Sequence, residues 1–134
     1  MDAFVAGVGS GGTISGVGRA LRRALWNRVR IIAVEPAESP VLSGGKAGSH
    51  IIQGIGAGFI PTIFDKDRVD EIITVTGDEA LEGVKMLSAK GYSVGISSGA
   101  NFIAALRTKE KYNLAHVVTV FPDDGLKYLS TIAY

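Results

Sequence analysis

The feature that most constrains this fold is a short apolar run, Phe4 to Val8, that ends in "GVGSGGTISGVG". Ile14, Val17, Leu21 and Leu25 then recur at close to helical spacing. This reads as strand, glycine turn, helix, and the pattern returns along the chain. Arg30 to Val34 is a continuous β-branched strand, suited to burial on both faces of a parallel sheet, and Glu35-Pro36 closes it. Glu71 to Val75 is another strand. The stretch after it opens with a capping box, Thr76 at the N-cap and Glu79 three residues on, and Gly91 ends that helix. Ser93 to Ile96 reads as a short strand running into a helix with Phe102, Ala105 and Leu106 on one side, and His116 to Phe121 as the last strand. Strands alternating with helices predict an α/β fold: an open, mostly parallel sheet with helices on both faces.

Ligands of such sheets bind at the carboxyl edge of the strands. Three turns meet there on this reading: Gly9 to Thr13, Ser97 to Gly99, and Pro122 to Gly125. The segment from Ala37 to Thr62 is rich in Gly, Ser and Pro without a clear period, longer than most connections, and is expected to be functional.

The turn "GSGGT" delivers the chain onto the first turn of a helix, where backbone N–H groups lack intrahelical partners and the dipole favours an anion. Glycine lets the backbone turn sharply and approach phosphate oxygens, and the hydroxyls of Ser10 and Thr13 add donors. Close packing of helix on sheet is the plainer use of such a turn. Gly7, Gly9 and Gly12 also fit the G-x-G-x-x-G pattern of dinucleotide sites, with Glu35, 23 residues after Gly12, near where a ribose-binding acid stands. A strand-terminal Glu is also common simply as a solvated end or a loop anchor. In "VGISSGA", Ser98 suits an N-cap. Ser97, one residue nearer the strand, can point over the sheet edge, where a hydroxyl bonds a neutral ring nitrogen without forcing a proton onto it.

Taken together, "AGVGSGGTISGVGR", "VEPAESPVLSGG", "IQGIGAGFIP", "VGISSGAN" and "PDDGLKYLST" resemble the cysteine synthase family, the O-acetylserine sulfhydrylases, among pyridoxal phosphate enzymes of tryptophan-synthase-β-like fold. The resemblance runs through essentially the whole chain. It implies that Gly9, Ser10, Gly11, Gly12 and Thr13 hold the phosphate of pyridoxal 5'-phosphate and that Ser97 bonds its pyridine nitrogen. It also implies that Gly54, Ile55 and Gly56 line the substrate side. The implied reaction is β-replacement, in which O-acetylserine loses acetate and sulfide adds to give L-cysteine. A homodimer, and docking of a serine acetyltransferase tail in the active-site cleft, are implied in the same way.

In that family the Schiff-base lysine and the loop that grips the substrate carboxylate precede the glycine turn. None of the seven lysines here (Lys46, Lys66, Lys85, Lys90, Lys109, Lys111 and Lys127) occupies a matching motif, so no catalytic residue is assigned. Residues 1–134 are therefore expected to form a single partial domain, the carboxyl-terminal part of the cofactor-binding domain, inactive alone. In "PDDGLKY" Asp124 stands where the family usually has serine and Leu126 where it has an acid; Asp124 is expected to face water. A cystathionine β-synthase-like enzyme, a nicotinamide-dependent oxidoreductase domain and a non-catalytic phosphate-binding module are the competing readings.

Composition narrows the partners. Fourteen Lys and Arg against thirteen Asp and Glu, without blocks of like charge, give no reason to expect nucleic acid. No apolar run approaches the roughly 20 residues of a membrane span. The chain has no cysteine, no recognisable metal-ligand cluster around His50 or His116, and no signal-peptide pattern, so a cytoplasmic protein without metal is expected.

Overall fold

The computed structural model describes residues 1–128; within the closing motif, Leu129, Ser130 and Thr131 lie outside the described residues. Four strands, β1 (Ala3–Gly7), β2 (Arg30–Pro36), β3 (Glu71–Val75) and β4 (Val117–Thr119), form one sheet in the order β3-β2-β1-β4, every neighbouring pair parallel. Helix α1 (Gly12–Leu25) follows β1, and α2 (Gly77–Ala89) and α3 (Ile96–Tyr112) follow β3.

Alternate residues of the central strands serve two cores. Phe4, Ala6, Ile31 and Ala33 pack with Ile14, Val17 and Leu21 of α1 on one face; Val5, Ile32 and Val34 pack with Ala80, Val84, Ile96, Ala100 and Ala104 of α2 and α3 on the other. Both faces of β1 and β2 are thus covered, which is why these strands read as unbroken apolar runs. α2 and α3 approach backbone to backbone. A Cβ on Gly99 would lie 2.2 Å from the Ala80 carbonyl oxygen, so only glycine allows this packing.

Local chemistry fixes the ends of α2. Thr76 Oγ1 accepts from the Glu79 N–H at 3.1 Å while Glu79 Oε2 accepts from the Thr76 N–H at 2.8 Å, completing the expected capping box. At the other end Gly91 (φ +92°) donates to the Ser88 carbonyl and Tyr92 to the Leu87 carbonyl, a Schellman ending.

Three expectations are corrected. Ser93 to Ile96 is not a strand: Val94 makes an isolated antiparallel bridge to Asp124, and the helix begins at Ile96. The two serines consequently sit inside the first turn of α3, its N-cap is Gly95, and Ser98 is not the cap. The last strand is also shorter than His116 to Phe121, pairing with β1 only from Val117 to Thr119.

The strand order sets the place of the site. From β1 the chain steps outward to β2 and β3, then returns to the opposite side of β1 as β4. The direction of winding reverses between β1 and β4, and a crevice opens at their carboxyl ends.

Candidate functional site

A cavity of about 270 Å³ occupies that crevice. Its walls are the turn after β1 (Gly9 to Thr13), Gln53, Gly54 and Ile55 from the long loop, Ser97 and Asn101 of α3, and Val120, Pro122 and Asp123 after β4. Gly9, Ser10, Gly11, Gly12, Thr13, Ser97, Gly54 and Ile55 therefore stand together, as do the turns at Ser97 and Pro122. Gly56 does not line the cavity. It faces Pro36 and His50, and its N–H donates to the Val8 carbonyl at 3.1 Å.

Gly11 is the N-cap of α1 at φ +88°, in the left-handed region that suits glycine. Ser10 Oγ accepts from the Gly12 N–H at 3.3 Å, which steadies the turn. The N–H groups of Thr13 and Ile14 have no carbonyl one turn back in the helix, and Thr13 is exposed. Gly9 lies against the long loop so closely that a Cβ there would be 2.3 Å from the Gly54 carbonyl oxygen. This cradle offers amide dipoles and hydroxyls and no lysine or arginine.

His50 holds the long loop in shape. Ile52 donates its N–H to His50 Nδ1 at 3.1 Å, which leaves Nε2 as the protonated nitrogen facing the Gly56 carbonyl at 2.7 Å.

Asn101 was not singled out in the sequence, yet it ties the floor of the site together. Its Oδ1 accepts from the Gly7 N–H at 2.9 Å and its Nδ2 donates to the Val120 carbonyl at 3.0 Å, joining the ends of β1 and β4 through one buried side chain. Its spacing of four from Ser97, one helical turn, is the signal that would have found it. Asp123 was also missed. It lies where an N-cap side chain would: its Oδ1 accepts from the Ser98 N–H at 3.2 Å and from the Ser98 hydroxyl. Asp123 Oδ2 is buried without a hydrogen-bond partner. Asp124 is exposed and accepts from the Leu126 N–H at 3.0 Å, away from the cavity lining.

Glu35 is a loop anchor. It is buried, with Oε1 accepting from the Leu42 N–H at 2.8 Å and Oε2 from the Ser43 N–H and hydroxyl at 2.9 and 2.5 Å. Its carboxylate is spent on those donors, and it does not line the cavity, so it does not stand as a ribose acid. Among the described residues no lysine lines the cavity, no group of His, Asp or Glu side chains is arranged to hold a metal, and no helix is long and apolar enough to cross a membrane.

Comparisons with known proteins agree with this geometry. Residues 1–123 match the family described as "Pyridoxal-phosphate dependent enzyme". Cysteine synthase B of Campylobacter jejuni is 51% identical over 131 residues, covering 98% of this chain and 44% of that protein. The solved O-acetylserine sulfhydrylase isoform 3 of Entamoeba histolytica superposes with a TM-score of 0.93 at 42% identity, over 98% of this chain and 40% of the other. An O-acetylserine-dependent cystathionine β-synthase of Helicobacter pylori gives 0.88 at 43% identity, over 98% and 43%. The chain thus spans less than half the length of these relatives. Matched by that family model over residues 1–123, the chain belongs to the pyridoxal-phosphate dependent enzyme family.

Proposed function

We propose that this chain is the cofactor-holding part of a cysteine synthase making L-cysteine from O-acetylserine and sulfide. The observation that carries the reading is the cradle itself: glycine backbone, two hydroxyls and a helix N-terminus on one side of the cavity, and Ser97 on another. Gly9, Ser10, Gly11, Gly12 and Thr13 take the cofactor phosphate, for which N–H donors at a helix start are suited. Ser97 bonds the pyridine nitrogen. Gly54 and Ile55 line the substrate side, while Gly56 fastens their loop through Val8 and His50.

The residues present fit pyridoxal phosphate. A Cβ at Gly9 would meet the Gly54 carbonyl, so the turn has to stay side-chain-free, and the hydroxyls and amides match an anion at that end. When bound, this cofactor supplies an electron sink for negative charge at a substrate α-carbon. The chain's own residues orient it. Ser97 would offer the ring nitrogen a neutral hydroxyl rather than a carboxylate, and so would not force a proton onto it. The lysine that bonds the cofactor and moves the α-proton is assigned to a portion of the protein outside these residues. A cytoplasmic homodimer, open to a serine acetyltransferase tail, completes the proposal by resemblance.

The cystathionine-forming neighbour favours a second reading, in which homocysteine replaces sulfide. Both are tested by combining the chain with the amino-terminal portion of the Campylobacter relative and supplying O-acetylserine with either nucleophile. Cysteine formed from sulfide, and lost with Gly9→Ala, supports the proposal. Reconstituted cofactor binding with product from homocysteine alone contradicts it.

A further inference from the structure

A second cleft, about 610 Å³ and open to solvent, lies at the far end of α1. Arg19, Arg22, Arg23 and Trp26 line it, joined by Arg68 from the turn before β3; no carboxylate lines it, and it shares no residue with the cavity at the glycine turn. The first four stand at i, i+3, i+4 and i+7, a single helical stripe.

Two of these arginines are already engaged. Arg22 Nη2 pairs with Asp70 at 2.5 Å and its Nη1 donates to the Val29 carbonyl at 2.8 Å, while Arg68 uses Nε on Asp65 at 3.1 Å. The side chains of Arg19 and Arg23 are exposed and form no hydrogen bond or ion pair with any described residue. Arg19 and Arg23, four residues apart, repel one another across one turn of α1.

Trp26 adds a second, independent signal. The residue is 76% exposed, and its backbone sits at φ 52°, ψ −133°, a conformation that a bulky L-residue adopts only under strain. Its N–H donates to the Arg22 carbonyl and its own carbonyl accepts from Arg22 Nη1 at 3.3 Å, so the strained turn is held in place. The effect is to present an indole to solvent beside free guanidinium groups.

We propose that this cleft binds a nucleoside polyphosphate, the base stacking on Trp26 and the phosphates held by Arg19, Arg23 and the outer nitrogens of Arg68. Guanidinium forks match phosphate oxygens, and one exposed ring takes one base. The volume lies in the range of small-molecule sites. The cleft gathers four arginines with no carboxylate in its own lining and Asp65, Asp67 and Asp70 on its flank, a short positive patch that suits a compact anion better than a nucleic-acid strand.

Trp26 is the chain's sole tryptophan, so the site carries its own fluorophore. The experiment is a titration of the chain with ATP, alongside inorganic triphosphate, adenosine and an acidic peptide. Saturable quenching by ATP is expected, at least tenfold tighter than triphosphate or adenosine alone, and unchanged in Thr13→Ala. Arg19→Gln combined with Arg23→Gln, both exposed, is expected to weaken binding tenfold or more with circular dichroism unaltered. Trp26→Phe, followed by calorimetry, is expected to retain weakened binding. The proposal is overturned by any of four results: no saturation, triphosphate binding as tightly as ATP, the peptide binding more tightly, or no effect of the double substitution.

Discussion

The Oδ1 atom of Asn101 accepts a hydrogen bond from the backbone N–H of Gly7 at 2.9 Å, across 94 residues of sequence. With its Nδ2 on the Val120 carbonyl, Asn101 closes the crevice between the two strands at which the sheet reverses direction. Asn101→Asp keeps the acceptor for Gly7 but sets a carboxylate oxygen against the Val120 carbonyl. Asn101→Ala leaves both backbone groups unpaired at a cost of about 1–3 kcal/mol. Thermal unfolding is expected to rank the native chain above both variants, and ligand affinity at the cavity is expected to fall with them.

Gly9→Ala tests the contact between the glycine turn and the long loop. The new methyl would meet the Gly54 carbonyl oxygen at 2.3 Å, a backbone atom that cannot swing aside. Stability is expected to drop by about 1–3 kcal/mol, as for other overpacked sites. Protease cleavage of the loop around Gln53 to Ile55 is expected to accelerate; an unchanged cleavage rate would show that the contact is not fastening the loop.

Much of the scaffold was legible because local chemistry and tertiary packing agree there. The capping box at Thr76, the glycine ending after α2 and the apolar runs of β1 to β3 each carry their own instruction. The errors lie where tertiary contacts decide. Ser93 to Ile96 is β-branched in part, but Val94 finds only one bridging partner, and Asp123 caps α3 from 25 residues away, so that helix starts earlier than its serines suggest. The glycine turn and Ser97 were visible as motifs. Asn101 and Asp123 were not, because their roles depend on which strand ends the fold brings together.

Acid should erode the anchoring of α2. The Thr76 N–H bond, followed by the Arg107 contacts, holds the Glu79 carboxyl below its ordinary 4.5 despite some opposing desolvation. Burial pushes Glu71 up, but bonds from Lys111 and Tyr112 outweigh it and its carboxyl is also lowered. A lowered carboxyl contributes stability that is complete above the unfolded value near 4.5 and is lost as pH falls through the folded value. Glu79→Gln keeps a neutral bond to Thr76 and removes the half-exposed ion pair, worth about 0.2–1 kcal/mol after solvent screening. Its melting temperature is expected to lie below that of the native chain at pH 7, with the gap narrowing as pH falls below 4.5 and through the lowered folded value. A gap that does not narrow at all with acid would assign the loss to packing.

Trp26→Gly is expected to stabilise the chain. Strain at such a backbone conformation is worth about 1–3 kcal/mol, offset in part by about 0.5–1 kcal/mol from the looser unfolded state that glycine brings. A higher melting temperature for the variant would show that the exposed indole is maintained against stability. A lower one would mean that the indole packs in solution.

Whether the glycine turn is a phosphate cradle for pyridoxal phosphate is decided by a calorimetric titration of the folded chain with pyridoxal phosphate and, separately, with pyridoxal. Saturable binding of pyridoxal phosphate is expected, at least tenfold tighter than that of pyridoxal, weakened by Thr13→Ala and not displaced by NADH. Equal affinity for the two, no binding of either, or displacement by NADH would rule the cradle out.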